Sequence, residues 1–239
     1  VSSFEVWLPV GAFALYLFDS NLWLYANELI FVRRGHGWSF AQSLPLVVAG
    51  NRVYLPNPLT PWRAEFKVRW SESDPRLQQE DSTQLDRFFR ALRPVQYLVS
   101  LLLALLCALP AVLAIYGTDA QLLVLVAVFY GVILATLGYI FTRRQELRLT
   151  GRAFASLCFD VLACAPFAVN LVRKLALRRA LVGNPIVFAG ETFEPAEFDR
   201  LLDAVAARVA ADLLREDDLT GRRQELEAFR DQLRAMRRV

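Results

Sequence analysis

Two runs that contain no charged residue, separated by only four positions, constrain this chain more than any other feature. Pro94–Tyr116 reads PVQYLVSLLLALLCALPAVLAIY and Gln121–Thr142 reads QLLVLVAVFYGVILATLGYIFT. A helix needs roughly 20 apolar residues to cross a hydrocarbon core about 30 Å thick, and each run exceeds that. With only Gly117-Thr118-Asp119-Ala120 between them, they are expected as a tight antiparallel transmembrane hairpin over residues 94–142. Composition agrees through its distribution. The chain is 55% hydrophobic and 21% charged, with the apolar residues in long runs and the charges between them.

The second run carries Ala127, Gly131, Ala135 and Gly138 at spacings of four, four and three. Small residues on one helix face let another helix backbone approach closely, so this stripe is the expected packing surface. Pro110 is expected to bend the first helix, since neighbours in a bundle can satisfy the freed carbonyl.

Residues 1–27 supply a third expected span, an N-terminal anchor over about Phe4–Tyr25, flanked by Trp7, Tyr16, Trp23 and Tyr25 as interfacial aromatics. Ala12-Phe13-Ala14 has the spacing of a signal-peptidase site. A signal peptide begins with a basic region, however, and Glu5 stands there instead, so the segment reads as retained.

Orientation follows from the basic residues. Residues 33–93 carry ten Lys/Arg, and Arg143, Arg144, Arg148 and Arg152 follow the third span, whereas the hairpin turn has only Asp119 and the N-terminus only Glu5. Cytoplasmic flanks are enriched in Lys and Arg. The expected location is therefore the inner (cytoplasmic) membrane, N-terminus and hairpin turn outside, most polar residues inside.

A fourth apolar stretch, Ala153–Val172 within residues 143–182, is long enough to span but contains Asp160, Pro166 and Asn170 and is flanked by basic residues at both ends. A re-entrant or interfacial helical hairpin broken near Ala165-Pro166 satisfies the charge rule on both sides; a fourth span is the alternative.

Outside the lipid, residues 28–72 hold short segments rich in β-branched and aromatic residues, separated by turn signals at Gly35-His36-Gly37 and Gly50-Asn51. They predict a small antiparallel β module, ended by Pro56-Asn57-Pro58 and Pro61 because proline cannot donate to a sheet ladder. About 45 residues bury little core, so the module should lean on helices or on a partner. Residues 73–93 read as a juxtamembrane amphipathic helix with Leu85, Phe88, Phe89 and Leu92 on one face. Its Arg87, Arg90 and Arg93 suit anionic headgroups, as in any such helix. Residues 183–239 form an amphipathic helical tail. Leu226, Phe229, Leu233 and Met236 repeat at threes and fours there, as in a short coiled coil, and suit either folding back or docking on a partner.

The fold class expected is thus an α-helical integral membrane protein of three spans plus a re-entrant or spanning fourth segment, with a small cytoplasmic antiparallel β module and a C-terminal helical hairpin. Ionisable groups inside a membrane are costly, which singles out Asp19 and Asp160, with Asn170, as an intramembrane polar site. The structural alternatives are interfacial solvation of Asp19, and a cap or arginine partner for Asp160. His36, the only histidine, sits in a turn without companions and leaves no basis for a zinc site or a Ser-His-Asp triad. Cys107, Cys158 and Cys164 are odd in number and lie in apolar segments, which suits packing better than disulfides. No phosphate-loop or zinc-protease motif occurs, so no cofactor is expected. A net charge of +3 without an aromatic-interleaved basic tract speaks against nucleic acid.

The function expected is a non-catalytic accessory, anchoring or assembly subunit of a larger inner-membrane complex, with lipids and other membrane subunits as partners. The alternatives are a small proton- or ion-linked transporter or channel using Asp19 and Asp160, and a lipid-acting membrane enzyme.

Overall fold

In a computed structural model of the chain, the described residues are 3–25, 27–35, 37–41, 47–48, 51–70, 82–117, 120–179, 181, 184–213 and 222–235. His36, Met236, the 118–119 pair of the hairpin turn and Asp217-Asp218 lie outside them. The chain forms two compact units that are interleaved in sequence: Val1–Asn21, Leu55–Ala64 and Asp81–Arg179 make one, and Leu22–Tyr54, Glu65–Glu80 and Ala180–Val239 make the other.

The first unit is helical. It comprises α1 (Ser3–Ser20), α2 (Ser82–Tyr116), α3 (Ala120–Thr142), α4 (Gly151–Ala163), a 3-10 segment (Ala165–Asn170) and α5 (Leu171–Arg178). Helix α2 runs unbroken through Pro94 and Pro110. It pairs with α3, whose buried side is Phe129, Ile133, Thr136, Leu137 and Ile140. The hydroxyl of the buried Thr136 donates to the Val132 carbonyl at 2.7 Å, so no hydroxyl hydrogen is left without an acceptor.

Among the described residues, two helices, Thr83–Tyr116 and Ala120–Thr142, are long and apolar enough to cross a membrane. Three were expected, and α1 is not a third by that measure. Its 18 residues rise about 27 Å at 1.5 Å each, and Asp19 falls in its last turn. It ends at Ser20 because the following residues leave to form a strand. The fourth apolar stretch does not form one rod. Helix α4 ends at Ala163, Cys164 is extended, and the 3-10 segment follows. Pro166 has no N–H to continue the ladder and its ring crowds the preceding turn. At 13 residues, α4 rises about 20 Å, short of a bilayer core.

Among the described residues, the second unit holds two three-stranded antiparallel sheets and three helices. The strands are β1 (Leu22–Leu24), β2 (Glu28–Arg34), β3 (Gly37–Ala41), β4 (Val47–Val48), β5 (Asn51–Tyr54) and β6 (Glu65–Arg69); the sheet orders are β1-β5-β4 and β3-β2-β6. Strand β2 is central in its sheet, and Leu29, Ile30, Phe31 and Val32 are all buried, which is why it reads as a continuous apolar run. Its hairpin with β3 pairs Arg34 with Gly37, and Gly35 takes φ +58°, a value that suits glycine in a two-residue turn. Strand β1 was not foreseen. Its Leu-Trp-Leu reads as the end of the N-terminal helix until β5 is available to pair with it, Trp23 opposite Val53.

The 28–72 module is not a domain by itself. Its sheet shares a core with α6 (Pro185–Thr192), α7 (Pro195–Leu213) and α8 (Arg222–Ala235). Phe31 meets Phe193 edge-on at 4.9 Å, Trp38 meets Phe188 at 5.1 Å, and Trp70 stacks on Phe229 at 5.4 Å. Buried Arg208 of α7 donates to the Glu28 carbonyl. A 45-residue sheet lacked apolar area, and the C-terminal helices provide it.

Candidate functional site

A cluster of polar groups in the helical unit forms where the end of α1, the 55–64 loop and the start of α5 meet. Asn170 is the hub, at 1% exposure. Its side-chain amide donates to the Tyr16 carbonyl and to Asp19 Oδ2, both at 3.0 Å, and its Oδ1 accepts from Arg173 Nη1 at 2.9 Å. Lys174 Nζ lies 2.8 Å from Asp19 Oδ1, so each carboxylate oxygen has its own partner. Buried Arg173 also donates to the Asn57 carbonyl, and the Tyr16 hydroxyl donates to the Pro58 carbonyl.

Local sequence explains the convergence. Pro56 and Pro58 leave the loop's carbonyls without a strand or helix to serve. Asn57 closes a turn in which its Oδ1 accepts from the Leu59 N–H at 2.9 Å. Residues 170, 173 and 174 follow one another at helical spacing across the start of α5.

Of the residues singled out in the sequence, Asp19 and Asn170 meet here. Asp160 does not join them; it lies 3.7 Å from Arg178. Helix α1 stops at Ser20, so Asp19 lies in its last turn. The sequence reading missed Arg173 and Lys174, taken there only as flanking positive charge, and the acceptor role of the Asn57-Pro58 loop. Arg173 and Lys174 stand three and four positions after Asn170, and nothing local separates them from the basic residues that flank any apolar segment.

The small-residue stripe lies on the exposed side of α3. Ala127, Gly131, Ala135 and Gly138 are exposed, and a Cβ added at either glycine meets nothing within 4 Å. The buried side of α3 is the opposite one, formed by Phe129, Ile133, Thr136, Leu137 and Ile140. In the tail, Leu226, Phe229 and Leu233 are buried within the chain, so a partner could reach them only if α8 came away. Cys107 is exposed, and Cys158 and Cys164 are half-buried, against the expectation of three packed thiols; α2 turns Cys107 outward.

An apolar groove of about 480 Å³ runs between α1, α2, α3 and the 3-10 segment, lined by Trp7, Leu15, Leu106, Phe129 and Pro166 among others and by no charged side chain. Among the described residues, no three His, Cys, Asp or Glu side chains gather as a metal site would need. No known family, no curated protein and no solved structure matches this chain.

Proposed function

We propose that this chain is a non-catalytic accessory, anchoring or assembly subunit of a membrane complex, held in the bilayer by the α2–α3 hairpin. The observation that carries the reading is how little of that hairpin the chain covers. Only 22% of the apolar window in α2 and 28% of that in α3 is buried, whereas a core helix of a soluble fold is mostly enclosed. Leu101, Ile115, Leu123, Val124, Val126 and Leu134 are all exposed, and soluble monomers rarely expose large contiguous apolar patches. Lipid or another apolar chain is what such a surface needs.

The Ala127–Gly138 face supports the second half of the reading, because among the described residues no helix makes the close approach it permits. The polar cluster supports a holding role. Asp19 is tied to Lys174 and Asn170, and a proton carrier would have to give up those contacts at each turnover. The clustering of arginines at the α2 start and α3 end favours a cytoplasmic position for that end.

Purification from native membranes in mild detergent tests the proposal. The expected result is a second chain at fixed stoichiometry. A monodisperse species of 27.1 kDa protein mass with no co-purifying chain would contradict it.

A further inference from the structure

At the end of the α2–α3 hairpin where the charge-free runs stop, a cleft of about 460 Å³ opens between the two helices. Arg87, Arg90 and Ala91 line it from α2; Tyr139 lines it from α3, and Arg143 and Glu146 from the segment just beyond. We propose that this cleft binds the phosphate of an anionic phospholipid headgroup. The inference rests on the membrane reading of the hairpin and adds a ligand to it.

Arginines at a helix end are what membrane topology alone produces. Three of them converging from two chain segments on one concavity, with a phenol beside them, are more than that rule requires. Arg87 and Arg90 are exposed and make no ion pair among the described residues, so their guanidinium donors are available. A guanidinium fork matches phosphate oxygens two at a time. Arg143 is engaged by Glu146 at 2.7 Å, and that carboxylate, with the Tyr139 phenol, holds the Arg143 pKa above its ordinary value. Glu146 therefore orients Arg143 and, as an anion at the rim, opposes the ligand. Position selects the source of the phosphate. Arg90 lies four residues before the first apolar run and Arg143 directly follows the second, the depth at which headgroups lie and where basic pockets between helices take acidic lipids.

The test uses the full chain, delipidated in detergent and titrated with a fluorescent phosphatidylglycerol, phosphatidylcholine serving as the neutral comparison. The Arg87→Gln/Arg90→Gln pair should weaken phosphatidylglycerol binding by roughly fivefold per arginine and leave phosphatidylcholine unchanged, while Glu146→Gln tightens it. Equal binding by wild type and the arginine pair overturns the proposal. Inorganic phosphate added as competitor separates the sources. Displacement only by lipid supports the headgroup, whereas phosphate binding in the same variant order with no lipid preference overturns the lipid assignment. Alkaline extraction of native membranes is run in parallel. A chain that stays in the membrane but ignores the arginine changes loses only this cleft, whereas a chain that washes off loses the membrane reading itself.

Discussion

Asn170 donates its side-chain amide to Asp19 at 3.0 Å across 151 positions of sequence, and Lys174, one helical turn beyond Asn170, holds the other oxygen of the same carboxylate at 2.8 Å. This contact fastens the broken fourth segment to the end of the first helix. Both charged side chains are largely covered, 12% exposed for Asp19 and 15% for Lys174, so removing one leaves the other poorly solvated. Asp19→Asn and Lys174→Met should each cost about 3 kcal/mol, and the double variant clearly less than the sum. Thermal unfolding in detergent reads the cycle. Additive losses would mean that the two groups do not act as a pair.

Glu28 offers an asymmetric case. It is 3% exposed, while its partners Lys67 at 2.8 Å and Arg69 at 3.2 Å are 34% and 61% exposed. Removing either cation leaves the other in place, so Lys67→Met and Arg69→Met should each cost about 1 kcal/mol or less. The double variant buries an uncompensated carboxylate and should cost about 3 kcal/mol, more than the singles together. Chemical denaturation of the three variants decides this.

The tail is part of the core of its unit. Phe229 stacks on Trp70 with the rings 7° from parallel, so Phe229→Ala should cost about 3–4 kcal/mol, and deletion of residues 222–239 should leave the sheet open to proteolysis. A truncated chain as protease-resistant as the whole would instead mark the tail as a detachable docking arm.

The hairpin, the β module and the break near Pro166 were legible in the sequence because each rests on a local signal: absence of charge, β-branched runs between turns, a proline without a donor. The polar cluster was half legible. Asp19 and Asn170 stand out as polar residues in apolar surroundings, but Arg173 and Lys174 carry no mark separating a buried cation from a topology signal. Strand β1 was illegible for a similar reason, since Leu22-Trp23-Leu24 extends an apolar helix until Arg52–Tyr54 is there to pair with it. The direction of the small-residue stripe also lies beyond local pattern, because α3 is apolar all round and its sequence cannot choose a side.

That stripe yields a prediction that separates fold from association. A Cβ added at Gly131 or Gly138 meets nothing within 4 Å, so Gly131→Leu and Gly138→Leu should leave thermal stability in detergent within about 0.5 kcal/mol of wild type. Both should lower recovery of the co-purifying chain. Unchanged recovery would remove this face from the proposed interface.

Cys107 tests the membrane placement most directly. It is exposed on the outer side of α2, midway along the charge-free run, so in water it would react freely with a thiol reagent. In a Cys158→Ser/Cys164→Ser background, a membrane-impermeant maleimide applied to inverted and right-side-out native vesicles should leave Cys107 unlabelled from both sides. Dissolving the membrane in denaturing detergent should then label it fully, and a control cysteine placed at Arg87 should label in one vesicle orientation only. Complete labelling of Cys107 in intact vesicles of either orientation would contradict the account.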